Sequence, residues 1–205
     1  MTNAIGSGPT LGFEPGDHVC AFYVGTAERD KLLMPFLQEG LRAGNKCLCI
    51  ADSPAHQTMV ANIAEGFDDP EDVERSVASR QLELLHSTDS YTRGGSFSTL
   101  RTIDFFRETV EGALSSGYER VLISGEPAWL SQGAPGAEEF VDYEVSLNDF
   151  APQYPQVILC LYDLERFGGG MVVDIMRTHK KLVLGGFVLD NPHYLSPDEF
   201  RATAR

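Results

Sequence analysis

The chain has 205 residues, 42% hydrophobic and 22% charged, a length and balance that suit one globular domain with a substantial core. Its 30 acidic and 16 basic side chains leave a formal net charge of -14, which sets the surface against nucleic acid and anionic membranes. No run approaches the roughly 20 apolar residues that span a bilayer, and the amino terminus lacks a basic segment followed by an apolar one, so the chain reads as soluble and cytoplasmic.

Residues 1–12 read as a mobile lead and 13–205 as a single domain. HVCAFY, 18–23, is the first strand. Over 27–43, Leu32, Leu33, Phe36, Leu37 and Leu41 recur at helical spacing, while Pro35 predicts a kink or a later start. KCLCIA, 46–51, is a second strand, followed by a helix with Ser53 as its cap and Pro54 as its first residue. A short helix covers 70–78, and QLELLHS, 81–87, alternates as a weaker strand. DSYTRGGSFS is a polar, glycine-containing loop suited to flank a site. A helix over 98–116 sets Leu100, Ile103, Phe106, Val110 and Leu114 on one face. RVLISG then reads as a strand, EEFVDYEVSLNDFA as a helix, VILCLYD as a strand, MVVDIMRTHK as a helix and LVLGGFVL as the last strand. Strands that are apolar throughout and separated by helices define an α/β chain, a three-layer α/β/α arrangement around a mostly parallel sheet.

Ligands of such sheets sit beyond the carboxyl ends of the strands. That rule selects Tyr23 before Gly25 and Thr26, Asp52, Glu126 and Trp129 in SGEPAWL, Tyr162, Asp163 and Arg166 in YDLERF, and Asn191, His193 and Tyr194. A phosphate-cradling loop needs several glycines, a lysine and a hydroxyl for magnesium. VGTAERDKLL offers one glycine and places Glu28 where an anion would sit, so nucleotide turnover is not expected. His18 and Cys20 share a strand face and suit either a ligand contact or a structural histidine beside a core thiol. Cys20, Cys47, Cys49 and Cys160 all lie in apolar runs and read as reduced core thiols rather than as disulfides or a metal site. Glu144 and Asn148 share a helix face read as solvated. Arg177 and His179 read as helix-end caps, and Asp163 with Arg166 as a ligand rim or a loop-fixing ion pair.

The runs GDHVCAFY, PFLQEGLRAGNKCLCIAD, SGEPAW, VDYEVSLNDF, VILCLYDLERF and NPHYLSPDEF, in this order and spacing, resemble the MEDS domain, a sensory domain named for methanogens, methylotrophs and the regulator DcmR. The resemblance spans roughly residues 13–200 and extends to KaiC and RecA ATPases around the second strand. Leu161 stands where the family pattern has a glutamine before the tyrosine. The resemblance implies a RecA/KaiC-like fold with a degenerate phosphate-binding loop, used to sense simple hydrocarbon derivatives such as halogenated or one-carbon compounds. It also implies signalling through a partner protein, such as a histidine kinase or an anti-sigma regulator, or through self-association.

Together these readings describe a non-catalytic sensory module for a small, largely apolar molecule. Tyr23, Trp129 and Tyr162 would line its pocket, with Glu126 or His18 fixing orientation and Cys20, Asp163 and Arg166 completing the ligand-binding set. No catalytic residue, metal or cofactor is assigned. The alternative is a ligand-free pseudo-ATPase module that docks a kinase or anti-sigma regulator.

Overall fold

A computed structural model describes residues 3–4, 12–53 and 55–203 of the protein. The elements in chain order are β1 (Asn3–Ala4), β2 (His18–Tyr23), α1 (Gly25–Arg42), β3 (Lys46–Ile50), α2 (His56–Ala64), α3 (Glu71–Ala78), β4 (Leu82–Leu85) and α4 (Thr99–Ser115). They continue with β5 (Val121–Gly125), α5 (Phe140–Phe150), β6 (Gln156–Asp163), α6 (Gly169–Arg177), β7 (Lys181–Leu184), β8 (Phe187–Asp190) and α7 (Pro197–Thr203). The sheet order is β1-β8-β7-β2-β6-β5-β3-β4. Strands β2 to β7 pair in parallel, and β8 and β1 add an antiparallel edge.

Because successive strand residues point to opposite faces, the apolar runs of the parallel strands feed two separate layers. Val19, Ala21 and Tyr23 of β2, with Cys47, Cys49 and Leu159, pack against Leu33, Phe36 and Leu37 of α1 and Met59 and Ile63 of α2. Cys20 and Phe22, with Leu48, Ile50, Cys160 and Tyr162, pack against Phe106 and Val110 of α4, Phe140, Tyr143 and Leu147 of α5, and Ile175 of α6. The four cysteines are free and buried, and the sheet itself separates Cys47 and Cys49 from Cys20 and Cys160.

The elements differ from the sequence expectations at six places. Helix α1 runs through Pro35: one backbone donor is lost, but the stripe from Leu32 to Leu41 stays buried, and burial of several large side chains outweighs a single hydrogen bond. Helix α2 begins at His56, with Ala55 and not Ser53 at its cap position and no side-chain cap; the Ser53 carbonyl accepts from Arg29 Nη1 at 2.5 Å, and Pro54 lies outside the described residues. Leu100 is 70% exposed, off the stripe of Thr102, Phe106, Val110 and Ala113 that α4 buries. The run LVLGGFVL is two strands, not one, because Gly185 and Gly186 take φ of +57° and +81°, the left-handed pair that a two-residue hairpin turn requires. Asn3 and Ala4, in the lead read as mobile, pair with Val188 and Phe187; of the remaining lead, only Gly12 falls within the described residues. Helix α7, not anticipated, starts with Ser196 and Glu199 exchanging hydrogen bonds with each other's backbone N–H, the capping-box pattern. No helix of the described residues is long and apolar enough to cross a membrane.

Candidate functional site

The α5 side of the sheet holds a polar cluster enclosed by apolar packing. β2 supplies His18 and Cys20, β6 supplies Cys160 and Tyr162, α5 supplies Glu144 and Asn148, and His179 follows α6. Cys20 and Cys160 are register partners on neighbouring strands. His18 Nε2 lies 3.1 Å from Glu144 Oε2 and 3.4 Å from Cys160 Sγ, and His179 Nε2 lies 3.3 Å from the same Glu144 oxygen. The two imidazole rings are 4.0 Å apart. Tyr162 donates its hydroxyl to Glu144 Oε1 at 2.7 Å. Asn191 holds the chain around His179 through bonds to the Met176 and His179 carbonyls at 2.6 and 2.7 Å.

The environment divides the charge unevenly. Burial and the neighbouring His179 push the His18 pKa down to about 4. Burial also opposes a charge on His179, yet Cys20, Cys160 and Glu144 outweigh it and hold this imidazole well above its usual range. Burial opposes the Glu144 carboxylate too, but the imidazoles of His179 and His18 facing it prevail and bring it down to about 2. The Cys160 thiol is pushed up to about 12 by burial and by Glu144. Within the cluster the environment thus favours charge on Glu144 and His179 and disfavours it on His18 and Cys160.

On the opposite face, at the carboxyl end of the strands, Glu126 accepts the Tyr23 hydroxyl at 2.5 Å and faces Arg29 Nη1 at 3.3 Å. Burial and Glu126 raise the Tyr23 pKa strongly. Arg29, in the second turn of α1, is only 1% exposed. Its guanidinium also reaches Asp30 and the Ser53 carbonyl, while Glu28 Oε2 accepts the Val24 N–H at 2.8 Å. The sequence reading missed Arg29, whose charge gave no sign of burial. Asp163 binds the Glu165 N–H and Arg166 within its own turn.

Trp129 sits in a third group. Phe97 stacks on it with ring centroids 4.9 Å apart, and Tyr91 and Phe140 stand 6.0 and 5.8 Å away. Tyr91 and Phe97 arrive from the polar loop before α4, and the Phe97 N–H is tied to the Pro135 carbonyl at 2.8 Å. Gly136 has φ +86°, and a Cβ there would meet the Phe97 carbonyl oxygen at 2.3 Å. Gly136→Ala is accordingly expected to cost about 2 kcal/mol and to loosen the Phe97–Trp129 stack. Urea melts and a red shift of Trp129 emission are the measurements, and an unshifted spectrum would contradict the latch.

The single chamber expected from Tyr23, Trp129 and Tyr162 is divided by the alternation of β2: Tyr23 packs in one layer, Trp129 and Tyr162 in the other. His18, Cys20 and Tyr162 do come together. The residues that complete their cluster, Glu144, Cys160 and His179, had been read as a solvated face, a core thiol and a helix cap, and Glu144 is in fact 1% exposed. A cleft of about 920 Å³ lies elsewhere, between α1, α2 and the β7–β8 turn, with Glu28, Asp30, Lys31 and Glu65 in its lining.

The architecture is RecA-like. A KaiC-like protein of Pyrococcus horikoshii OT3 superposes with a TM-score of 0.57 at 11% identity, over 83% of this chain and 71% of that one. The flagellar accessory protein FlaH of Methanocaldococcus jannaschii gives 0.58 at 10% identity, over 90% and 78%. Residues 17–180 match the family model of the MEthanogen/methylotroph, DcmR Sensory domain, so the chain belongs to the MEDS family. The transcriptional repressor DcmR of Methylorubrum extorquens is 27% identical over 165 residues, 80% of this chain and 58% of the repressor. The chain thus spans a little over half the length of that regulator, and its role is sensory or regulatory.

Proposed function

We propose that the chain binds a small, largely apolar molecule in the aromatic layer around Trp129 and reports it to a partner protein through the segment carrying Tyr91 and Phe97. The observation that carries this reading is Trp129 Nε1, a donor buried with no hydrogen-bond partner among the described residues; the neighbouring Tyr143 hydroxyl has no aligned partner either. Unsatisfied buried donors are costly, so a compact molecule with one weak acceptor, such as a small halocarbon, alcohol or aldehyde, satisfies both the rings and the N–H. Entry displaces Tyr91 or Phe97, whose segment carries Gly94 and Gly95 at positive φ, and moves surface that a kinase, an anti-sigma regulator or a second copy can read. Binding without turnover is supported by Glu28 and Arg29: one fills the helix start with negative charge, and the other turns its cation inward to Glu126.

Thermal melts with chloromethanes and small alcohols and aldehydes test the proposal. A ligand at a hundred times its Kd should raise Tm by about 5–10 °C. Trp129→Phe keeps a ring but removes the donor, and should abolish the rise while leaving the unliganded melt nearly unchanged. A rise retained in Trp129→Phe removes Trp129 from the site. No rise with any compound, together with recovery of a defined regulator by the unliganded protein, favours an interaction module instead.

A further inference from the structure

Both ring nitrogens of His18 face acceptor oxygens, Nδ1 that of Asn148 and Nε2 that of Glu144. Asn148 Nδ2 donates to the Thr178 carbonyl at 2.7 Å and to the Glu144 carbonyl at 3.2 Å, which fixes Asn148 Oδ1 as the atom facing His18 Nδ1 at 3.4 Å. If Nδ1 carries the proton, the Nε2 lone pair faces the Glu144 carboxylate at 3.1 Å; if Nε2 carries it, Nδ1 faces Oδ1. In either neutral tautomer one ring nitrogen turns its lone pair toward an oxygen, and the donor beside Nε2 is the Cys160 thiol at 3.4 Å. His179 poses the same question from the other side: Nδ1 meets the Ile175 carbonyl at 2.8 Å, while Nε2 is buried with no aligned hydrogen-bond partner.

We propose that His18 Nε2, His179 Nε2, Cys160 Sγ and Glu144 Oε2 form a binding site for a zinc-type divalent metal ion. One ligand atom from each of the four residues lies within 4.8 Å of every other, and the close pairs stand 3.1 to 3.4 Å apart. A tetrahedral ion with bonds of about 2.0–2.3 Å needs edges of about 3.3–3.8 Å, so closure takes only a small adjustment. Three of the four ligands are held from behind, as is usual at metal sites: His18 by Asn148, His179 by the Ile175 carbonyl and Glu144 by Tyr162. Two imidazoles and a thiolate select a borderline-soft ion over calcium or magnesium. A doubly charged cation with one thiolate and one carboxylate sums to zero, which suits an enclosure whose four members are all buried. The ion replaces the protons on His179 and on the Cys160 thiol, which leave to solvent. Since the ligands come from β2, α5, β6 and the end of α6, the ion pins the sheet to the helices beside the Trp129 layer.

The test is refolding of the full chain, under reducing conditions, with an equimolar amount of Co2+, and it needs no organic ligand. Expected are one bound cobalt per chain, the intense visible bands of a tetrahedral ion and a near-ultraviolet thiolate-to-cobalt band. The near-ultraviolet band should be lost in Cys160→Ser and kept in Cys47→Ser and Cys20→Ser. X-ray absorption of the wild-type zinc form, which depends on no variant, should count one sulfur and three nitrogen or oxygen neighbours. No stoichiometric cobalt in the folded wild type, a shell without sulfur or with two sulfurs, or a charge-transfer band that survives Cys160→Ser overturns the site.

Discussion

Glu144→Ala should lower the unfolding free energy of chelator-treated protein by about 3–5 kcal/mol, the scale set by removing one partner of a buried ion pair. Glu144 is 1% exposed, and its two oxygens face Tyr162, His18 and His179. Truncation leaves the His179 charge and the Tyr162 hydroxyl enclosed without an acceptor. Glu144→Gln, which keeps the acceptor for Tyr162 but not the charge, should fall between wild type and alanine. Urea unfolding monitored by circular dichroism gives the values, and an unchanged slope with denaturant would assign the loss to the native state. A loss below about 1 kcal/mol for alanine, the range of solvent-exposed pairs, would mean that water reaches the cluster.

Arg29→Ala is the second large effect, again about 3–5 kcal/mol. Here the stranded charge is Glu126, which keeps only the Tyr23 hydroxyl and is 7% exposed. The pair can be isolated because the double variant Arg29→Ala, Glu126→Gln no longer contains the stranded carboxylate. It should be more stable than the sum of the single losses implies, by about 1–3 kcal/mol. Strict additivity would show that Arg29 matters for its contacts with Asp30 and the Ser53 carbonyl rather than for Glu126.

The parallel strands were legible because each is a short apolar run bounded by turn residues, and burial on both faces demands such runs. The Gly185–Gly186 turn was equally legible in principle, yet eight apolar letters around two glycines read more simply as one strand. Of the cluster, the His18–Cys20 spacing and the place of Tyr162 at a strand's carboxyl end were legible, since a period of two is decisive within a strand. Glu144 carried a signal that charge obscured: Phe140, Glu144 and Asn148 are spaced by four, so Glu144 lies inside the apolar stripe of α5 rather than opposite it. His179 and Cys160 had no local signal. Their meeting depends on which strands are neighbours, and the order that sets β2 between β6 and β7 is a tertiary fact.

That order has a bearing on how the protein is made. The strand at residues 18–23 leaves the ribosome more than 130 residues before either of its neighbours, at 156–163 and 181–184. A nascent chain therefore carries a buried, largely apolar strand without its two neighbours until residues 156–184 are made, a topology that folds slowly and invites aggregation. Chains interrupted before residue 156 would be expected to accumulate as insoluble material or bound to chaperones.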